Sequence, residues 1–277
     1  MWLGVDQRRW FLTHRGVKIR KRNTPQLWDE VWKDTTSKQE DVFALAREEN
    51  GIRWPRIERI VSQEFGSFDN LKVIEIGAGA GTNAALMAKR GAKVTILDYS
   101  EGALKRARHF FERNALSAEF IEQDALSLST DLHDKYDISM SFGLTEHFRG
   151  SERLKINKAH FDVLRKGGIT FVSVPNKYNL PYRIFKFAAE HTGRWVIGEE
   201  YPYSRKELRN ICQQIGITEY SFFGDSLFGS FGFINPFGMM RKMSKLKKNL
   251  TICHVKKEKG TFLDQYLSYA LVVCGKK

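Results

Sequence analysis

Glu75, Gly77, Gly79 and Gly81 alternate along one short stretch, and an acid, Asp98, follows at the end of the next apolar run. These residue types at this spacing suit the binding of a nucleoside. Glycines let the backbone turn tightly and let a ligand approach where a Cβ would collide. A carboxylate about 20 positions further on, at the tip of the following strand, accepts hydrogen bonds from ribose hydroxyls. A second set of chemically capable side chains, Glu146 and His147, stands later in the chain beside Phe142-Gly143-Leu144. Histidine titrates near neutral pH and is a candidate base for a hydroxyl or amine that must lose a proton, with Glu146 as the second candidate.

The elements that must position these residues are legible around them. Val73–Ile76 reads as a buried strand and Asn83–Arg90 as a helix stopped by Gly91. Lys93–Leu97 reads as a second strand ending at Asp98. This is a βαβ nucleoside-binding half. A dinucleotide fingerprint puts its third glycine three residues after the second, yet that place holds Thr82 and the third glycine falls at 81. The spacing therefore argues against a nicotinamide cofactor. A third strand, Ala118–Glu122, leads to Gln123-Asp124-Ala125. A fourth, Tyr136–Ser141, runs into Phe142–Phe148. The turn Leu164-Arg165-Lys166-Gly167-Gly168 precedes a fifth strand, Ile169–Val174.

The pattern E-x-G-x-G-x-G at Glu75–Gly81, with these later landmarks in order over roughly residues 70–175, resembles the class I S-adenosylmethionine-dependent methyltransferases of small-molecule type. The resemblance implies a doubly wound, mostly parallel seven-stranded α/β sheet with an antiparallel last strand. It implies S-adenosyl-L-methionine as cofactor, held by Glu75, Gly77, Ala78, Gly79, Asp98, Tyr99, Asp124, Ala125, Phe142, Gly143 and Leu144. Asp98 is expected to hold the ribose, Tyr99 to lie against the adenine and Asp124 to accept from its amino group. His147 and Glu146 follow the fourth strand, where the transferred methyl would project. No metal is expected.

Residues 1–65 read as a basic arm and a helical cap, and 66–277 as the methyltransferase domain. Trp28, Val31 and Trp32 share one face of a first helix, Val42, Leu45 and Ala46 give a second, and Pro55 fits the first turn of a third, Arg56–Phe65. Such helices either close over the cofactor or pack on the sheet edge. Two insertions, 176–203 and 224–265, fall on the acceptor side. Ser204, with Glu207 three residues on, caps a helix to about Ile215. A sixth strand is expected over Ile217–Phe223 and the last over Tyr266–Cys274. The second insertion carries Phe228, Phe231, Phe233, Phe237, Met239 and Met240 before a basic run.

The net charge is +13, gathered in Arg8–Arg22 and Arg241–Lys259. These are either solvated faces or sites for an anionic partner. The three cysteines lack metal-ligand spacing, and no apolar run reaches the ~20 residues needed to span a bilayer. A reducing cytoplasm is the expected compartment. The leading reading is methyl transfer to oxygen, with nitrogen second, of a small or lipid-like metabolite. RNA or protein methylation recruited by the basic patches, cyclopropane-type lipid chemistry suggested by the Ser141–Phe148 segment, and a non-catalytic cofactor-binding scaffold are the alternatives. Nucleic acid is not favoured: no D/N-P-P-Y motif follows the fourth strand, and no cysteine stands at the end of the fourth or fifth strand. Peripheral membrane contact stays open.

Overall fold

The computed structural model describes residues 23–33, 38–195, 197–225, 227–234 and 260–277. The basic arm and the whole basic run Arg241–Lys259, with Phe237, Met239 and Met240, lie outside the described residues.

Three helices come first: α1 (Pro25–Val31), α2 (Lys38–Glu49) and α3 (Arg53–Phe65). Thr24 caps α1 by accepting from the Leu27 amide, and Pro25 begins it, where its missing N–H costs nothing. A seven-stranded sheet follows: β1 (Lys72–Ile76), β2 (Lys93–Asp98), β3 (Glu119–Glu122), β4 (Tyr136–Phe142), β5 (Leu164–Pro175), β6 (Glu219–Gly224) and β7 (Ala270–Lys276). Its order is β3-β2-β1-β4-β5-β7-β6. The first five strands pair in parallel, and β7 is antiparallel to both β5 and β6. Parallel central strands are covered on both faces, which explains why every residue after the first is buried in β1 and β2, Glu75 and Thr95 included. The order reverses between β1 and β4, and ligands bind outside the carboxyl ends at such a switch point.

Helices α4 (Thr82–Ala88), α5 (Glu101–Arg113) and α6 (Gly150–Asp162) cover the parallel half. Residues 180–191 form α7 (Leu180–His191), and α8 (Arg205–Gln214) precedes β6. Two short turns, α9 (Leu227–Ser230) and α10 (Asp264–Leu267), lie between β6 and β7. Ala103, Leu104, Ala107, Phe110 and Phe111 form the buried face of α5. Trp54, Ile57 and Val61 of α3 are fully buried in the same core. Trp54 packs on Phe68 (centroids 6.0 Å apart) and beneath the Arg90 guanidinium at 4.8 Å. Trp54→Ala is expected to lower the unfolding free energy by about 3–5 kcal/mol, because the vacated volume cannot fully collapse. Denaturant titration measures it.

The boundaries differ from expectation where buried polar groups intervene. The last strand starts at Ala270 rather than Tyr266, because the chain first turns around Asp264. That buried carboxylate accepts from the Leu227 amide (2.8 Å) and from the Thr261 amide. β5 includes the whole Leu-x-x-Gly-Gly turn, with a register irregularity opposite Asp137. The Asp137 carboxylate accepts from the Lys72 amide (2.7 Å) and Arg165 Nε (2.5 Å). A Cβ on Gly168 would crowd three carbonyl oxygens there, so the turn requires glycine. β6 spans Glu219–Gly224, two residues later at its start than expected.

Candidate active site

The glycine loop after β1 is closed from both ends. Glu75 is buried, and its Oε2 accepts from the Ala84 amide in the first turn of α4 at 2.8 Å. Burial pushes its carboxyl up to about 8, against the pull of that amide and of Arg53. Gly77 and Gly79 have φ of +63° and +53°. A Cβ at Gly77 would strike Leu144, and one at Gly79 would strike the Trp32 indole. Gly81, also left-handed, begins α4.

Asp98 ends β2. Its Oδ2 accepts from the Gly79 amide at 3.1 Å and its Oδ1 from the Ser100 amide at 3.0 Å. Burial raises this carboxyl to about 6, while the backbone amides of Ser100, Gly79 and Tyr99 hold it down. Asp124 follows β3 and caps the short turn Ala125–Ser127, accepting from the Leu126 amide at 2.9 Å. At the end of β4, Gly143 has φ of +94° and its amide donates to the Ser173 carbonyl at 3.0 Å. A 3-10 turn, Thr145–His147, follows.

These groups face one cavity of about 540 Å³, within the range of small-molecule and cofactor pockets. Glu75, Gly77, Ala78, Asp98, Tyr99, Asp124, Ala125, Phe142, Gly143, Leu144 and His147 all line it. Gly79 adjoins it through its bond to Asp98. Glu146, like Gly79, is an expected site residue outside the cavity wall. It is fully buried.

Helix α1 lies over the loop, and Trp28 and Trp32 both line the cavity. Asp29 anchors α1 to the start of α5. Its Oδ1 accepts from Ser100 Oγ (2.7 Å) and the Gly102 amide (2.9 Å). A Cβ on Gly102 would collide with the Asp29 backbone, so this approach depends on glycine. Trp28 and Trp32 thus line the cavity, while Trp54 lies in the core.

His147 is held from three sides. Its Nδ1 lies 2.8 Å from the Glu199 carbonyl, which only accepts, so Nδ1 carries the proton and Nε2 the lone pair. Asn23 Nδ2 donates to the His147 and Glu199 carbonyls at 3.1 and 3.2 Å. The Trp28 ring meets the imidazole edge-on at 4.9 Å. Burial lowers the imidazole to about 4, so it is neutral at pH 7, and Nε2 has no protein partner.

Behind it stand Glu146 and Glu200. Ligating atoms of Glu146, His147 and Glu200 lie within 4.8 Å of one another. Both Glu146 oxygens are buried without hydrogen-bond partners, while Glu200 Oε2 accepts from the Tyr182 hydroxyl at 2.7 Å. Burial and then the Glu200 charge push Glu146 far above the usual carboxylate range, and burial raises Glu200 to about 7. Three such groups have the donor chemistry to hold a small cation or to share protons. The sequence reading missed Glu200. Its signal was an acidic doublet, Glu199-Glu200, inside an aromatic-rich insertion.

The residues fit an S-adenosyl donor. The loop leaves backbone where Cβ atoms would intrude, carboxylates stand at the tips of β1, β2 and β3, and the cavity is large enough. Residues 73–168 match the family model of the methyltransferase domain. Ubiquinone biosynthesis O-methyltransferase of Leptothrix cholodnii is 27% identical over 162 residues, covering 57% of this chain and 68% of that protein. Its namesake from a Ruegeria species is 27% identical over 177 residues, covering 59% and 70%. Magnesium protoporphyrin IX methyltransferase from Synechocystis, solved with bound SAH, shares the fold at TM-score 0.53 and 15% identity, covering 91% of this chain and 93% of that one. A methyltransferase structure from Bacillus halodurans aligns at TM-score 0.52 and 16% identity, covering 79% and 97%. Residues 73–168 thus carry a methyltransferase domain match, on a fold that solved methyltransferases share. The Synechocystis enzyme has been solved with SAH and with SAM bound.

Proposed function

We propose that the protein methylates a hydroxyl oxygen of a small, lipid-like acceptor. Bound S-adenosylmethionine supplies an activated methyl group for in-line displacement, so alignment and exclusion of water are what the protein adds. Asp98 is assigned the ribose, Tyr99 and Asp124 the adenine side, and the loop Gly77–Gly79 the close backbone approach. Trp28 and Trp32 cover the loop and exclude water.

The observation that carries the proposal is the neutral His147 in the same cavity. Its proton is committed to the Glu199 carbonyl, which leaves Nε2 able to take a proton from an acceptor hydroxyl. The relatives named as ubiquinone biosynthesis O-methyltransferases support oxygen as the atom methylated. Cys212 and Cys274 are buried free thiols, in keeping with a reducing compartment. Among the described residues no helix is long and apolar enough to cross a membrane.

The test is turnover of the purified protein with labelled donor and an alkyl-substituted catechol, beside its amine counterpart and bulk RNA. The expected result is a methyl ether from the catechol and far less product from the other two. Salt-sensitive label transfer to RNA alone would overturn the assignment. The His147 imidazole is neutral above about 4. The acid limb of kcat/KM that it imposes is therefore expected near pH 4, not near 6.5, in a pH–rate profile.

A further inference from the structure

Among the described residues, every large apolar side chain that stands exposed belongs to one of three segments, 178–187, 228–234 or 262–267. The three come together at the carboxyl end of β5. Asn179 Nδ2 donates to Ser230 Oγ at 2.9 Å and to the Leu267 carbonyl at 2.8 Å. Asn176 Nδ2 donates to the Tyr266 carbonyl at 2.8 Å. Phe185 of α7 stacks on Phe233 at 5.4 Å. Scattered exposed apolar residues need no explanation, but a gathered set marks an interaction surface.

Helix α7 links this surface to the site. Its inner residues Tyr182 and Lys186 are buried, and Tyr182 donates to Glu200 behind His147. Its outer face carries Leu180, Ile184 and Phe187, with Phe187 63% exposed. Their i, i+4, i+7 spacing makes one stripe, and exposed Arg183 falls within it. Phe228 and Phe262, 67% and 74% exposed, extend the apolar face beyond the helix.

We infer that this face docks on an anionic lipid bilayer. An amphipathic helix lying in the interface combines an apolar stripe with cations that reach the headgroups, and Arg183 and exposed Lys177 supply cations here. In the sequence, residues 235–259 between Ile234 and Gly260 hold eight Lys or Arg against one Glu. Each basic residue held near an anionic surface adds to the attraction. The same charge disfavours a second copy as the occupant, since two chains of net charge +13 repel. The inference deepens the lipid-like acceptor reading and in that respect rests on it: such an acceptor would be met in the bilayer, on the side of α7 that faces away from the site.

Co-sedimentation of the full chain with vesicles tests it without donor or acceptor, so its failure is separate from failure of catalysis on a soluble catechol. The protein is expected to pellet with phosphatidylglycerol–phosphatidylcholine vesicles, to stay in solution with phosphatidylcholine alone, and to be released by salt. The double substitution Ile184→Glu and Phe187→Glu is expected to weaken vesicle binding at least about tenfold, with affinity for S-adenosylhomocysteine and melting temperature unchanged. If that variant melts early, Phe228→Ser with Phe262→Ser replaces it. Three results would overturn the inference: no wild-type binding to anionic vesicles, equal binding by the variants, or a wild-type dimer that the substitutions split, which would assign the face to a second copy.

Discussion

Asp98→Ala is expected to weaken S-adenosylmethionine binding by more than about tenfold, a cost above about 1.4 kcal/mol. Two contributions add. Hydrogen bonds to a charged acceptor are worth about 1.5–3 kcal/mol each, and the ribose offers two hydroxyl donors. The carboxylate also fastens the loop, through the Gly79 amide on one oxygen and the Ser100 amide on the other. Asp98→Asn keeps one oxygen and is expected to lose less. Calorimetric titration with S-adenosylhomocysteine measures both, and unchanged affinity in the alanine variant would refute the role.

The same residue sets a pH dependence. Burial raises the Asp98 carboxyl to about 6 from an ordinary value near 3.8. The ligand prefers the ionised form, so affinity is expected to fall as pH drops through about 6. The folding contribution has the opposite sense. A raised carboxyl favours the folded state most below its unfolded pKa, and that stability is lost as pH rises through about 6. Ligand added at neutral pH is therefore expected to stabilise the protein more than at pH 5, which melting curves with and without ligand would read.

His147→Gln is expected to cut kcat by about 10²–10⁴-fold while leaving cofactor affinity nearly intact, the range for loss of a positioned base. The argument rests on the proton position. Nδ1 is spent on the Glu199 carbonyl, and Nε2 is buried with no protein partner. A glutamine side chain accepts hydrogen bonds but cannot take up a proton at neutral pH. If only KM rises and kcat holds, His147 shapes the pocket through Trp28 and Asn23 instead. Single-turnover measurements with saturating donor separate the two.

Glu146 shows where a linear reading stops. The segment Thr145-Glu146-His147 places two titratable side chains next to each other, and nothing local says that one faces the cavity and the other a buried pair with Glu200. The 3-10 turn after β4 makes that choice. Likewise, Trp28, Trp32 and Trp54 are alike in sequence. The Asp29 anchor brings α1 over the glycine loop, while α3 carries Trp54 into the core.

The sequence by itself determined the βαβ unit, the order of the strand landmarks and which residues gather around the glycine loop. Those signals are short-range: a run of apolar residues makes a buried strand, a glycine makes a turn, and an acid at a strand tip stays where the strand ends. Only the tertiary structure decided what surrounds His147. Glu200 reaches His147, Asn23 bridges two distant carbonyls and α7 turns an apolar stripe outward because packing joins segments far apart in the chain. Such contacts depend on which faces meet, and that leaves no periodic trace in either segment alone.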